Sequence, residues 1–127
     1  MCFGKCEYGP PGMTRAPFSC GLEAALVVVG GKWKPLILFH LGPSRRRFGE
    51  LRRLVAGVSE KMLIQQLREL QADGIIERDD FKEIPPKVEY HLTPLGLSLA
   101  RALLPLCKWG SAHTAAIEAI SRRHSAP

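Results

Sequence analysis

Two short amphipathic segments separated by three residues constrain this chain more than any other feature. In the first, RFGELRRLV, four apolar residues fall on one helical face. The second segment has Ser59 as a favourable N-cap, runs to Asp73, and is followed by Gly74, where a left-handed glycine is expected to end a helix. The linker between the segments contains Gly57, as the short turn of a helix–turn–helix often does. The pattern therefore predicts a helix–turn–helix.

The second segment has an apolar face and a polar face when its residues are placed 100° apart. Leucines share the apolar face, which indicates that this side packs on the core. The opposite face presents an ammonium, an amide and a guanidinium, which are groups that read base edges in the major groove. Glutamine can bridge adenine, lysine and arginine can reach guanine, and an isoleucine at the edge of the face can contact a thymine methyl. The candidate base-reading residues are Lys61, Ile64, Gln65 and Arg68.

Basic charge is concentrated around the same two segments. The chain has a net charge of +6, and residues 45–68 hold seven basic and two acidic residues, whereas the rest of the chain is nearly balanced. Such a patch favours a polyanionic partner, although a solvated charged surface is the plainer alternative. We expect double-stranded DNA as the partner, with phosphate contacts made by the arginines at the start of the first segment and within it. The predicted contacts outside the base-reading face are Arg47, Arg52, Arg53 and Ser59.

Residues 76–92 predict a small β wing. IIERDDF and KVEYHL read as two short strands around KEIPP, and the second alternates apolar and polar residues with the period of a strand. Two prolines stiffen the connecting loop, and Lys82 and Lys87 flank it, which suggests a basic wing that reaches the DNA backbone or minor groove. The predicted fold is mostly α with a small β wing. We expect a winged helix–turn–helix domain over residues 20–127, preceded by a flexible arm over residues 1–19.

An apolar stripe near the end of the chain predicts a homodimer. Seven residues recur from position 99 to position 120 at alternating spacings of four and three, close to a heptad seam. A single helix over about 94–122 would be about 43 Å long, which exceeds what one small domain covers. The alternative is two shorter helices interrupted at Pro105 and folded back onto the core. The predicted dimer-interface residues are Leu99, Leu103, Leu106, Trp109, Ile117 and Ile120.

Several classes of protein are not expected. The longest strictly apolar run has six residues, and residues 1–20 lack a signal-peptide core, so we predict a cytoplasmic protein without a membrane span and with mostly reduced cysteines. No catalytic constellation or phosphate-binding glycine loop is present, so we expect no enzyme and no cofactor. Cys2 and Cys6 lack a second pair at zinc-ligand spacing, and we expect no metal site.

Four ordered motifs carry a resemblance to a known family. VVVGGKWKPLIL, RFGELRRLVAGVSEKMLIQQLRELQADGIIERDDF, EIPPKVEYHLTPLG and LCKWG resemble the HxlR-type winged helix–turn–helix regulators of bacteria over about residues 20–113. The resemblance implies a transcription regulator, more often a repressor, that dimerises through its terminal helices. It also implies that residues 59–73 form the recognition helix and residues 76–92 the wing. Glu60 and Ile64 stand where the family commonly has polar residues such as glutamine and threonine. The operator preference of the family therefore cannot be carried over to this sequence.

The resemblance also brings Cys20 forward as a redox-sensing candidate. Some family members sense oxidants or electrophiles through a cysteine just before the first helix, and Cys20 matches that position. A helix N-terminus favours the reactive thiolate, and Cys2 or Cys6 could then resolve a sulfenic acid as a disulfide. The alternative is a buried cysteine that acts as a small hydrophobe. For the protein as a whole, the second functional hypothesis is a winged-helix adaptor that binds protein, for which residues 59–73 should show an apolar or acidic outer face.

Overall fold

The structure is a computed structural model, and it describes residues 20–125. The predicted arm, residues 1–19, lies outside these residues. The described part of the chain forms six helices and three short strands in the order α1 Gly21–Val29, α2 Trp33–Leu41, β1 Arg46–Arg47, α3 Phe48–Leu54, α4 Glu60–Ala72, β2 Ile76–Asp80, β3 Val88–Leu92, α5 Pro94–Ala112 and α6 Thr114–Ser125. The prediction of a mostly α fold with a small β wing is confirmed.

The core is centred on the apolar side of α4. Leu63, Leu67 and Leu70 follow one another at helical spacing, and all three are buried. They meet buried side chains from α2, α3 and the sheet, including Ile37, Leu38, Leu51 and Ile76. Full burial of one such side chain contributes roughly 1.5–3 kcal/mol to folding. The core therefore fixes the rotation of α4 about its own axis, and with it the direction of the opposite face.

The ends of α4 follow the local chemistry of the sequence. The Ser59 hydroxyl accepts a hydrogen bond from the Met62 backbone N–H at 3.1 Å, which satisfies one of the donors left open at a helix start. At the other end Gly74 has φ +73°, a conformation that glycine adopts without steric cost. Gly57, in the turn between α3 and α4, has φ +88°. The predicted cap, turn and helix end are confirmed.

The sheet has three antiparallel strands in the order β1-β3-β2. The two longer strands were predicted, but β1 was not, because three consecutive arginines before an amphipathic helix have no apolar alternation. Arg46 pairs with Tyr90 of β3, and its Nε donates to the His40 carbonyl oxygen at 3.1 Å. Pairing on both sides makes β3 the central strand, which explains why Tyr90 is buried.

A polar joint attaches the sheet to α5. The Thr93 hydroxyl accepts from the Gly96 backbone N–H at 3.0 Å and lies 2.7 Å from the Gly74 carbonyl oxygen, to which it donates. The Thr93 backbone N–H donates to the Ile75 carbonyl oxygen at 3.1 Å. Thr93 and Pro94 therefore begin α5, and the helix starts directly against the end of α4.

The expectation of one helix over about 94–122 is wrong. The alternative of two shorter helices is confirmed, but its break at Pro105 is wrong. Pro105 lies inside α5, and the break falls at His113 between α5 and α6. The Trp109 carbonyl oxygen accepts from His113 Nδ1 at 2.8 Å, while the His113 backbone N–H bonds the Gly110 carbonyl oxygen instead. The histidine ring thus takes the acceptor that a continuing helix would use.

Within residues 20–125, no single helix combines the length and apolar character that a membrane crossing requires. Helices α1 and α2, which are bent by 84° at their junction, are long and apolar enough for a membrane crossing only when the two are taken together, and only by length and composition.

The joint at the start of α5 predicts a sharp difference between two glycines. A Cβ at Gly96 would collide with the Ile75 carbonyl oxygen, which is backbone and cannot move aside independently, whereas a Cβ at Gly49 in α3 would make only ordinary contact with the Arg53 side chain. We expect Gly96→Ala to lower the free energy of unfolding by about 1–3 kcal/mol. We expect Gly49→Ala to raise it by about 0.5–1 kcal/mol through helix propensity. Urea unfolding measures both, and equal effects would contradict the close approach at Gly96.

Candidate nucleic-acid interface

The outer face of α4 is exposed along its length. Lys61, Gln65 and Arg68 are exposed, and Ile64 at the edge of the face is 38% exposed. No other element of residues 20–125 covers these side chains. The helix therefore presents an ammonium, an amide and a guanidinium to solvent, as the angles between these residues predict. Ser59 is exposed just before the helix, with its hydroxyl oxygen engaged as the cap.

A network of two polar contacts links α2 to the outer face of α4. Lys34 Nζ lies 2.6 Å from Glu69 Oε1, and the Lys34 side chain is only 11% exposed. The other carboxylate oxygen, Glu69 Oε2, accepts from Gln65 Nε2 at 3.2 Å. The hydrogen bond from Lys34, then that from Gln65, lowers the pKa of Glu69, so this carboxyl stays ionised at neutral pH. This network was not predictable from the sequence pattern, because Lys34 lies 31 residues before Gln65.

The arginines near α3 divide into engaged and available groups. Arg45 bridges two wing carboxylates, Asp79 at 3.0 Å and Glu89 at 3.3 Å, and Arg46 is held by the bond to α2. The guanidinium groups of Arg45 and Arg46 therefore make contacts within the fold. Arg47 and Arg53 are exposed and have no carboxylate partner among residues 20–125. Arg52 lies 3.9 Å from Glu60, a weak and exposed pair.

The wing carries its predicted lysines on an ordered loop. Lys82 has φ +52°, and its backbone N–H donates to Asp80 Oδ1 at 2.9 Å. Lys87 Nζ lies 4.6 Å from the centre of the Phe81 ring, a cation–π contact. Ile84, at the tip between the two lysines, is 99% exposed. The loop therefore exposes Lys82 and Ile84, while the ammonium of Lys87 lies over the Phe81 ring.

A groove between α4 and the wing contains a basic residue that the sequence reasoning missed. The groove has a volume of about 640 Å³, and Arg68 of α4 and Arg78 of β2 both line it, above Tyr90. Arg78 pairs with Tyr90 across the sheet, so it lies on the strand face that looks toward α4. Neither arginine has an ion pair within residues 20–125. The alternation of β2 around Ile76 is the sequence signal that could have identified Arg78.

The predicted dimer stripe is split between two environments. Leu99 and Leu103 are half-buried and pack against the core of their own chain, so intrachain contacts already use this part of the stripe. Leu106, Trp109 and Ile120 are exposed, and Ile117 is half-buried. The break at His113 also divides the stripe between α5 and α6. At the other end of the described chain, α1 exposes three large apolar side chains, those of Leu22, Leu26 and Val27.

Cys20 lies at the N-cap position of α1 and is half-exposed. It takes part in a disulfide bond. Cys2 and Cys6 lie outside the described residues. Cys107 is a free, exposed cysteine on α5. Among the described residues, no group of three or more histidine, cysteine or acidic side chains is placed to hold a metal ion.

The helix pair, the three-stranded sheet and the exposed polar face of α4 define a winged helix–turn–helix protein. The chain belongs to the HxlR-like helix-turn-helix family, which matches residues 28–118. It is 48% identical over 101 residues to an uncharacterized HTH-type transcriptional regulator of Bacillus subtilis, YtcD, a match that covers 80% of each chain. A second regulator of the same organism, YkvN, is 50% identical over 93 residues, which cover 73% of this chain and 79% of YkvN.

A solved structure is similar both in sequence and in shape. The redox regulator HypR in its oxidized form is 43% identical, with a TM-score of 0.70, over 73% of this chain and 96% of HypR. The family and these neighbours are transcriptional regulators and not enzymes. The chain is accordingly a transcriptional regulator with a helix–turn–helix domain.

Proposed function

We propose that this regulator is a cytoplasmic, sequence-specific DNA-binding repressor that acts as a homodimer on a pseudo-palindromic operator. The observation that carries the proposal is the outer face of α4, where Lys61, Gln65 and Arg68 project into solvent from a helix anchored by its buried leucines. These side chains can hydrogen-bond base edges in a major groove, and Ile64 can contact a thymine methyl. The repressor assignment rests on the family resemblance.

Phosphate contacts are proposed for the cations that surround this face. Arg47, Arg52 and Arg53 lie around α3, and Lys82 and Lys87 lie on the wing, so the two groups flank α4 on different elements. Such contacts set the orientation of the protein on the duplex and carry most of the salt dependence of binding. Ser59 remains a proposed contact through its exposed hydroxyl at the start of α4.

The homodimer is supported by the apolar side chains that the single chain leaves exposed. Leu106, Trp109 and Ile120 on the C-terminal helices and Leu22 and Leu26 on α1 are all at least 39% exposed. Burial of these side chains against a second copy removes apolar area from water, and a two-fold pair is the commonest assembly. A two-fold dimer places its recognition helices about 34 Å apart in successive major grooves, which is why the operator should be an imperfect palindrome.

The adaptor hypothesis is less well supported by the same face. A protein-binding helix of this kind should show an apolar or acidic outer surface. The outer face of α4 instead carries Lys61 and Arg68, and Glu69 beside it is neutralised by Lys34. A basic, hydrogen-bonding surface fits the polyanionic backbone of a nucleic acid better than it fits an apolar partner.

Two substitutions separate base reading from phosphate binding. We expect Gln65→Ala to weaken binding to the selected operator by about 1–3 kcal/mol and to leave binding to a scrambled duplex unchanged, because it removes a bidentate base contact. We expect Arg53→Ala to weaken binding to both duplexes alike and to reduce the slope of log K against log salt by about one unit. Fluorescence anisotropy titrations at several salt concentrations measure both effects.

The operator for these titrations is selected with the wild-type protein from a randomised duplex library. A wild-type protein that binds all duplexes with one affinity would contradict the proposal of sequence-specific binding. An equal loss on both duplexes for Gln65→Ala would contradict the base-reading role of that residue.

The dimer proposal predicts different dimer dissociation constants for the variants Leu106→Lys and Ile84→Lys. Leu106 is 64% exposed on α5, and a lysine there would bring a charge into the proposed interface of each copy. We expect Leu106→Lys to raise the dimer dissociation constant at least about tenfold in analytical ultracentrifugation. Ile84→Lys at the wing tip makes a matched change away from the interface and should leave the dimer intact. A wild-type protein that sediments as a 14.0 kDa monomer at micromolar concentration would refute the dimer.

Redox sensing through Cys20 is the second part of the proposal. Cys20 occupies the N-cap position of α1, where the helix dipole favours a thiolate. A peroxide oxidises the thiolate to a sulfenic acid with loss of hydroxide, and a second thiol then displaces water to form a disulfide. Cys2 and Cys6 are the candidate second thiols. Support comes from the disulfide at Cys20 and from the likeness to HypR, which is described as a redox regulator.

The redox proposal predicts a reversible change in DNA affinity. We expect hydrogen peroxide to weaken operator binding by the reduced wild-type protein at least about tenfold and dithiothreitol to restore it. Cys20→Ser should bind the operator and ignore the peroxide, whereas Cys107→Ser should respond as the wild type does. The measurement is an operator titration before and after each treatment. A Cys20→Ser variant that still loses affinity would exclude this residue as the trigger.

A further inference from the structure

We propose that Lys34 and Glu69 are positioning residues that fix the amide of Gln65 for recognition of adenine, an inference that rests on the proposed DNA binding. Neither Lys34 nor Glu69 belongs to the base-reading set, and Lys34 lies on a different helix. The proposal concerns the orientation of one side chain, and it is carried by the three-residue chain of contacts from α2 to the outer face of α4.

The first step is the anchor. The Lys34 side chain is 11% exposed, and its ammonium lies 2.6 Å from Glu69 Oε1. A lysine held along most of its length has little rotamer freedom left, so the carboxylate bound to it is also held. The side chain of Glu69 is itself 43% exposed, and without Lys34 it would be free to rotate in solvent.

The second step determines which way the amide of Gln65 points. Glu69 Oε2 lies 3.2 Å from the amide nitrogen of Gln65, and an ionised carboxylate only accepts hydrogen bonds. The group of Gln65 that faces Glu69 must therefore be its NH₂. The carbonyl oxygen and the second N–H of the amide are left facing outward, side by side.

The third step matches this pair to a base. The major-groove edge of adenine offers an N6 donor beside an N7 acceptor, which an acceptor and a donor held side by side can satisfy together. Guanine offers two acceptors at the same edge, so the outward carbonyl oxygen of Gln65 would meet an acceptor there. The orientation imposed by Glu69 thus favours adenine and disfavours guanine at the base pair that Gln65 reads.

The ion pair also removes an obstacle to binding. An ionised carboxylate on the outer half of a recognition helix repels the phosphates of DNA. Lys34 lies on the protein side of Glu69 and compensates that charge without projecting into the groove itself. Glu69 can therefore serve as a hydrogen-bond acceptor for Gln65 at a reduced electrostatic cost to DNA binding.

The test measures base preference at one position of the operator. The wild-type protein first selects an operator from a randomised duplex library, and Gln65→Ala then identifies the position whose preference depends on Gln65. Four duplexes that differ only at that position are titrated with each variant by fluorescence anisotropy. We expect the wild type to prefer adenine over guanine about tenfold or more.

Glu69→Ala should reduce this preference at least about threefold while the preferences at other positions remain. Lys34→Met should also reduce the preference for adenine over guanine. Lys34→Arg keeps the positive charge and should retain that preference. Glu60→Ala is the matched control, because it removes one negative charge from the same helix without a contact to Gln65. It should change affinity for all four duplexes by one common factor.

The titrations distinguish failure of the inference about Lys34 and Glu69 from failure of the proposed DNA binding. A Glu69→Ala variant that keeps the full preference for adenine overturns the inference and leaves sequence-specific DNA binding intact. A wild-type preference for guanine at the Gln65 position overturns it as well. A wild-type protein that selects no sequence at all refutes the proposed function itself. Glu69 is partly exposed, so its variant remains informative even if Lys34→Met does not fold, which circular dichroism checks for every variant.

Discussion

Burial of the leucine side of α4 is the interaction on which the rest of this structure depends. Leu63, Leu67 and Leu70 are fully enclosed by α2, α3 and the sheet, and together they hold the helix at one rotation about its axis. Because residues follow one another at a fixed angle around a helix, the rotation that buries the leucines also determines which residues face solvent. The capacity of α4 to present a defined set of donors and acceptors is thus a consequence of core packing.

Features set by local chemistry were predictable from the sequence, and they include much of the candidate site. The cap at Ser59, the left-handed Gly74 and the exposed polar face of α4 all follow from interactions within a few residues of each other. The two longer wing strands were predictable for the same reason, since alternation is a property of neighbouring residues. Assignment of these features to DNA binding came from the basic patch, the polar face of the second helix, the predicted wing and the family resemblance.

Features that depend on distant residues were not predictable. The strand β1 exists because Arg46 and Arg47 meet β3, more than forty residues later, and nothing in a run of arginines announces such a partner. The ion pair of Arg45 with a wing carboxylate and that of Lys34 on α2 with Glu69 on α4 were not predictable for the same reason. The helix break at His113 was missed for a different reason, because a histidine that binds the carbonyl of the preceding turn has no established sequence signal.

The direct junction of β1 with α3 has a mechanical consequence. Arg47 ends the strand and Phe48 begins the helix, so the sheet and the helix–turn–helix share an uninterrupted backbone with no linker to act as a hinge. Arg46 adds a bond from the same strand to the end of α2. No flexible linker therefore separates the sheet from the helix–turn–helix, and in the proposed complex a misfit with a duplex would be taken up by bending or twisting of the nucleic acid. In the proposed complex, the stiffness of the DNA between the contacted bases would then contribute to the choice of operator.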